Sequence, residues 1–281
     1  MKYKLIIIIF NIFVLLSFST ICLLPLILLG PDYFAEFWLA NWFLALIFLI
    51  IILMVNAFFV YNWPIVRYTK TGKWDALVAV LEKRIYGRKI ITYSNVRLLT
   101  YSYFLLGRKK QIKTLEKHIK GKRKSIYNKA FLMFSCANLI SDSNDHLKAY
   151  FEEAVNNKSL KGMDWILINY AFVLIANKEF DKALAMLKKI DGAKNNPILE
   201  LTKLYFLFMA SKLEDQKAIA LLKENFTKKI SDLEFEKRFE IEKGDIHILF
   251  LSKIISQAKE WAYPTGLLAK TEERAHSSLF K

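Results

Sequence analysis

From Leu5 to Gly30 no residue carries a charge, a run of 26 positions, and a second uncharged run covers the 30 positions from Phe37 to Val66. A helix needs about 20 apolar residues to cross a bilayer core. Both runs are long enough, and only Pro31, Asp32 and a few neighbours part them. Inside lipid the backbone has to satisfy its own hydrogen bonds, so each run is expected to be helical. The reading is a two-helix transmembrane hairpin over residues 1–62, with spans at about 5–29 and 37–61. Composition agrees: 54% of residues are hydrophobic and the mean hydropathy is +0.22, too apolar for an ordinary water-soluble domain.

The first run is too long for the 7–15-residue apolar core of a cleaved signal peptide. No small-x-small site follows it, and the bulky Ile21 before Cys22 argues against a lipoprotein signal. Basic residues near the span ends set orientation. Lys2 and Lys4 precede the first span; Asp32 and Glu36 lie between the two; Arg67, Lys70 and Lys73 follow the second. Both termini are therefore expected in the cytoplasm, with two spans in the cell's inner membrane. Trp38, Trp42, Tyr61 and Trp63 suit interfacial belts. Asn11, Asn41 and Asn56 are expected to hydrogen-bond across the hairpin or to sit near a headgroup. With no ionisable group in either span, a transport pathway is not expected. Pro64 is expected to end or kink the second span.

Beyond the spans a period emerges. Leu77, Ile112, Leu147, Ala183 and Ala218 step by 35, 35, 36 and 35. Four residues after each stand Leu81, Glu116, Phe151, Leu187 and Leu222; seven after stand Arg84, Ile119, Ala154, Ile190 and Asn225. Twelve before the last four stand Thr100, Ser135, Ala171 and Phe206, of which the first three are small. A unit of that length is one helical hairpin, which buries its apolar face only by stacking on neighbours. Residues 65–228 are thus expected to hold about five hairpins. Residues 231–262 are expected to form a helix capping the stack, and 263–281 a loose tail. Pro197 stands where the first helix of the fifth unit should begin.

Tyr170, Ala171, Leu174, Phe180, Ala183 and Leu187 form a pattern that resembles the tetratricopeptide repeat (TPR) family, as do Gly72 and Trp74 in the first unit. The step of 35 and the residues Glu116, Arg84 and Asn225 depart from it. The resemblance implies an all-α fold: the membrane hairpin, then a right-handed TPR-like α-solenoid with a C-terminal capping helix. Two spans followed by such repeats are also distantly similar in layout to HemY-type membrane proteins, where the repeats lie on the other side of the membrane. In TPR proteins the first helices line a partner-binding groove. By repeat register the resemblance places Arg97, Tyr101, Lys129, Leu132, Cys136, Ile168, Asn169, Phe172, Lys203 and Leu207 there. Alternatively, the chain's own packing or its C-terminal cap covers them.

Charge offers a second surface. The chain has 42 Lys+Arg against 26 Asp+Glu, a net of +16. Residues 107–124 concentrate the excess: Arg108, Lys109, Lys110, Lys113, Lys117, Lys120, Lys122, Arg123 and Lys124 against the single acid Glu116. Anionic lipid attracts such a segment by about 1 kcal/mol per base near the surface. A plain solvated face is the alternative. No aromatic platform interleaves the bases, which disfavours nucleic acid.

Catalytic, metal and cofactor sites are not expected. His118, His146, His247 and His276 lack metal-ligand spacing, and GxSxG, HExxH and CxxC are absent. Cys22 and Cys136 are not expected to pair. The expected function is a non-enzymatic, membrane-anchored scaffold or adaptor for protein partners or a membrane complex. The alternative is a membrane-surface organiser that binds anionic lipid through the basic segment.

Overall fold

The computed structural model describes residues 2–139, 144–192, 196–212 and 215–264. Every regular element among them is helical. Residues 265–281, most of the expected tail, and His276 lie outside the described residues. The chain divides into two compact units, residues 1–80 and 81–281.

In the first unit, α1 (Lys2–Leu29) and α2 (Pro31–Thr71) pack on each other. The turn between them is one residue, Gly30, at φ +86°, a backbone conformation that favours glycine. Pro31 then opens α2, where its missing N–H costs nothing. Both helices are long and apolar enough to cross a membrane. Their apolar side chains point outward: Phe13, Ile27, Leu39 and Val60 are all more than two-thirds exposed. Between the helices lie polar groups. Asn11 and Asn56 exchange amide hydrogen bonds of 3.1 and 2.8 Å, and Trp38 Nε1 donates to the Cys22 carbonyl at 3.2 Å. Phe18 stacks on Phe48 at 4.5 Å.

Of the two places expected for Asn41, it does not take the one across the hairpin; its amide donates to Phe37 O of its own helix, at the one point where α2 has non-helical dihedrals. Two expectations about this unit change. Pro64 neither ends α2 nor breaks its dihedrals. The helix runs on to Thr71 and stops at Gly72, whose left-handed backbone caps the last carbonyls. Asp32 and Glu36 belong to the start of α2 rather than to a loop, and Asp32 suits the positive end of the helix dipole.

Next come α3 (Trp74–Glu82), a π-helical segment (Lys83–Gly87), α4 (Tyr93–Leu105), α5 (Lys109–Lys122), α6 (Lys124–Leu139), α7 (Asn144–Val155), α8 (Met163–Ala176) and α9 (Phe180–Lys188). They are followed by α10 (Pro197–Ala210), α11 (Gln216–Lys229), α12 (Asp232–Glu242) and α13 (Ile246–Ala262). The helix starts are written in the sequence. Thr92 accepts from Asn95 N at the start of α4, Asn196 from Ile198 N and Leu199 N at α10, and Ser231 from Glu234 N at α12. Pro197 sits at the first position of α10, as its fixed φ favours.

The contacts recur by register. The first helices α4, α6, α8 and α10 touch in sequence as a row. Each second helix packs on the next first helix: α5 on α6, α7 on α8, α9 on α10. The periodic positions are buried accordingly. Leu77, Ile112, Leu147 and Ala183 are at most 3% exposed, as are Leu81, Phe151 and Leu187, and the small Thr100, Ser135 and Ala171 are fully enclosed. The fourth step breaks this register. Ala218 is exposed and Leu222 is 48% exposed, while Ile219, Phe226 and Ile230 face inward. After α11 the packing changes: α12 and α13 both pack on α10, and α13 also packs on α6.

Candidate functional site

The row of first helices is where a binding face was expected, and α13 lies against it. Asp245, just before α13, pairs with Arg97 of α4 at 3.6 Å. Phe250 packs on Phe104 of α4 with ring centroids 4.2 Å apart, and His247 meets Trp165 of α8 edge-on at 5.1 Å. Trp261 closes the far end against Tyr205 and Phe208 of α10. Between these points Ile248, Leu251, Ile255, Ala258 and Ala262 spell a helical stripe at spacings of three and four, and all are buried. They join one core with Ile168, Ala171, Leu199 and Phe206.

Polar contacts fix the edges of this helix. Lys223 of α11 donates to Trp261 O at 2.8 Å and lies over its ring. Lys259 binds Asp232 and Glu236 of α12. Tyr263 donates to Ile230 O.

The expected groove residues therefore part into two sets. Cys136, Ile168 and Asn169 are completely buried. Asn169 Nδ2 donates to Ser135 Oγ and Cys136 Sγ, both at 3.3 Å, and burial pushes the Cys136 thiol up to about 12. Leu132, Phe172 and Leu207 are half-buried against the core shared with α13; Phe172 stacks on Phe206. Lys203 is turned away, donating to Ile190 O at 2.8 Å. Arg97 and Lys129 are exposed, and Tyr101 is half-buried. The residues expected as one capping helix, 231–262, form α12 and α13, and α13 is laid against the row.

The basic segment is one amphipathic helix. Ile112, Leu115 and Ile119 bury the inner face of α5, and Lys109, Lys110, Lys113, Lys117, Lys120 and Lys122 are exposed. Arg108 and Arg123 flank it, and Lys124 opens α6. Lys120 is engaged by Glu153 at 3.0 Å and lies over the Tyr127 ring.

The single acid of that segment, Glu116, points inward. Asn138 Nδ2 donates to one of its oxygens at 3.0 Å and the Tyr150 hydroxyl to the other at 2.7 Å. Sequence reasoning marked Glu116 as off pattern and missed its partners, which lie 22 and 34 residues away. The same device recurs: Tyr103 donates to Glu82 at 2.6 Å and Tyr170 to Glu152 at 3.1 Å. Burial, then the neighbouring carboxylate, pushes the Tyr103, Tyr150 and Tyr170 hydroxyls above their ordinary value. Among the described residues no His, Cys, Asp and Glu gather as metal ligands.

These features define a class, an all-α protein with two helices long enough to cross a membrane and a separate helical unit closed by its own last helix. Its sequence matches the family described as "Uncharacterised Treponema protein" over residues 111–264, more than half the chain, and the protein belongs to that family. The matched stretch runs from α5 through the end of α13. An uncharacterised protein of Treponema pallidum (strain Nichols) is 24% identical over 236 residues, covering 78% of this chain and 74% of that one. No solved structure matches.

Proposed function

We propose that this protein is a membrane-anchored, non-enzymatic scaffold for protein partners. In this reading the first unit is a two-span anchor in the inner membrane with both termini in the cytoplasm, and the second is a divergent TPR-like α-solenoid. The observation that carries the solenoid is the 35-residue register, which buries four successive anchor positions and three small-residue positions. The apolar exteriors of α1 and α2 support the anchor. Anchoring raises the local concentration of whatever the helical unit holds. With the first-helix row occupied by α13, the surface left for a partner is the outer face of the second helices α5, α7, α9 and α11. Purification of the full chain from its own membranes in mild detergent tests this. A stoichiometric protein that stays bound is expected; a chain that always emerges alone contradicts the scaffold.

A second reading rests on α5. Its outward lysines stand over a buried apolar stripe, the arrangement that binds anionic lipid by charge. Native mass spectrometry of the full chain tests it. Anionic lipid should be retained over zwitterionic lipid, and Lys→Gln at 109, 110, 113 and 117 should abolish the preference. Equal retention in parent and variant contradicts it.

A further inference from the structure

Where α13 begins, the helices leave a cavity of about 200 Å³. Its cations come from three separate elements: Arg97 from α4, Lys129 from α6 and Lys161 from the turn before α8. We propose that this cavity is a binding site for a phosphate monoester, held between Arg97, Lys129 and Lys161.

Charge balance is the first argument. One carboxylate, Asp245, lines the cavity, and its contact with Arg97 is a loose one of 3.6 Å with both side chains about half exposed. The remaining excess is two positive charges, which a dianion matches. Several lysines on other helices are tied down: Lys148 and Lys182 to Glu179, Lys259 to Asp232 and Glu236, Lys203 and Lys223 to carbonyls. Neither the Lys129 nor the Lys161 ammonium has such a partner among the described residues.

The second argument is that the bases are held in place. The backbone N–H of Lys161 donates to Asn128 O at 3.1 Å, which pins the turn beside Lys129. Gly162 then takes φ +75°, and a Cβ there would stand 3.2 Å from Leu132. The turn thus lies close against α6, in a left-handed backbone conformation that favours glycine. Holding like charges together is unfavourable until an anion joins them.

The third argument is shape. Guanidinium and ammonium groups around one cavity suit phosphate oxygens, with Arg97 able to offer two parallel N–H donors. The N-terminus of α13 adds its partial positive charge, and Asp245 makes no capping bond there. Tyr93, Leu132 and Met133 give the cavity an apolar wall for the carbon side of an ester. The volume admits a phosphate with a small substituent. A soluble phosphate monoester and the headgroup of phosphatidic acid share this chemistry.

The site goes beyond the scaffold reading and does not depend on it. The test uses the full chain in phosphatidylcholine nanodiscs, titrated calorimetrically with glycerol 1-phosphate, and in parallel in nanodiscs doped with phosphatidic acid, with retained lipid read by native mass spectrometry. Saturable binding of at least one probe is expected, weakened about tenfold or more by Lys129→Gln with Lys161→Gln. Asp245→Asn should tighten it, and Lys237→Gln, an exposed base on α12 outside the cavity and outside α5, should leave it unchanged. Glycerol 1-phosphate binding identifies a soluble ligand; phosphatidic acid alone identifies a lipid headgroup. Saturation by neither probe overturns the proposal, as does equal binding by parent and double variant. Both lysines are exposed, so the variants are expected to melt like the parent, and a melting curve checks this.

Discussion

The hairpin and the helical unit are built from the same element with opposite polarity. In α1 and α2 the apolar side chains point outward, and amides, a tryptophan N–H and two stacked rings lie between the helices. In α4 to α13 leucine, isoleucine and phenylalanine point inward and lysines face out. The difference fits the proposed reading, in which the hairpin meets lipid and the helical unit meets water. Water rewards burial of carbon by about 25 cal/mol per Å². Lipid gives no such reward, so helix association there rests on packing and hydrogen bonds.

Substitutions can break that comparison. The largest effect is expected in the core beneath α13. Leu251→Ala empties a site that is 2% exposed and should cost about 2–5 kcal/mol of stability in denaturant titrations. Ile47→Ala in the hairpin, where the side chain is 50% exposed, should leave the melting of the helical unit unchanged.

Next comes the buried carboxylate. Glu116→Ala strands the Asn138 amide and the Tyr150 hydroxyl, and should cost about 1–3 kcal/mol. The tyrosines give this a pH signature. Tyr103, Tyr150 and Tyr170 have folded values raised above the unfolded one, so their contribution is complete below about pH 10 and is lost as pH rises through the folded values. Melting temperature should therefore fall in strong alkali, and Tyr150→Phe should blunt the fall. A flat alkaline profile in the parent would remove these hydroxyl–carboxylate pairs from the account.

In the hairpin, Asn56→Leu should weaken helix–helix association by about 0.6–2 kcal/mol, measured by unfolding in mixed micelles. The smallest effect should be Arg97→Ala. A half-exposed pair at 3.6 Å contributes under about 1 kcal/mol.

The hairpin was legible because 26 and 30 uncharged positions admit few other structures. Its details were less so. Pro64 reads as a stop, yet a helix continues through it and ends at Gly72, where a left-handed residue closes the last carbonyls. The periodic core positions were legible through Ala183 because anchor and small positions share one steric role. The pattern failed at Ala218, where α11 turns Ile219 inward instead. The groove residues were located on the right helices, and the sequence left open whether a partner or the C-terminal cap covers them; α13 lies there. Ile248, Leu251, Ile255 and Ala258 announce an amphipathic helix without saying which surface it meets. Glu116 shows a further limit, because its partners belong to other helices.

The central claim is that α13 of the same chain fills the row of first helices. A photo-crosslinkable residue in place of Phe104, whose ring lies 4.2 Å from Phe250, tests it most directly in the full chain in its own membrane. Irradiation and peptide mapping should yield an intramolecular bond to residues 246–262. Attachment to another protein, or to lipid, with none to α13 would contradict it and return the row to the role of an open binding face.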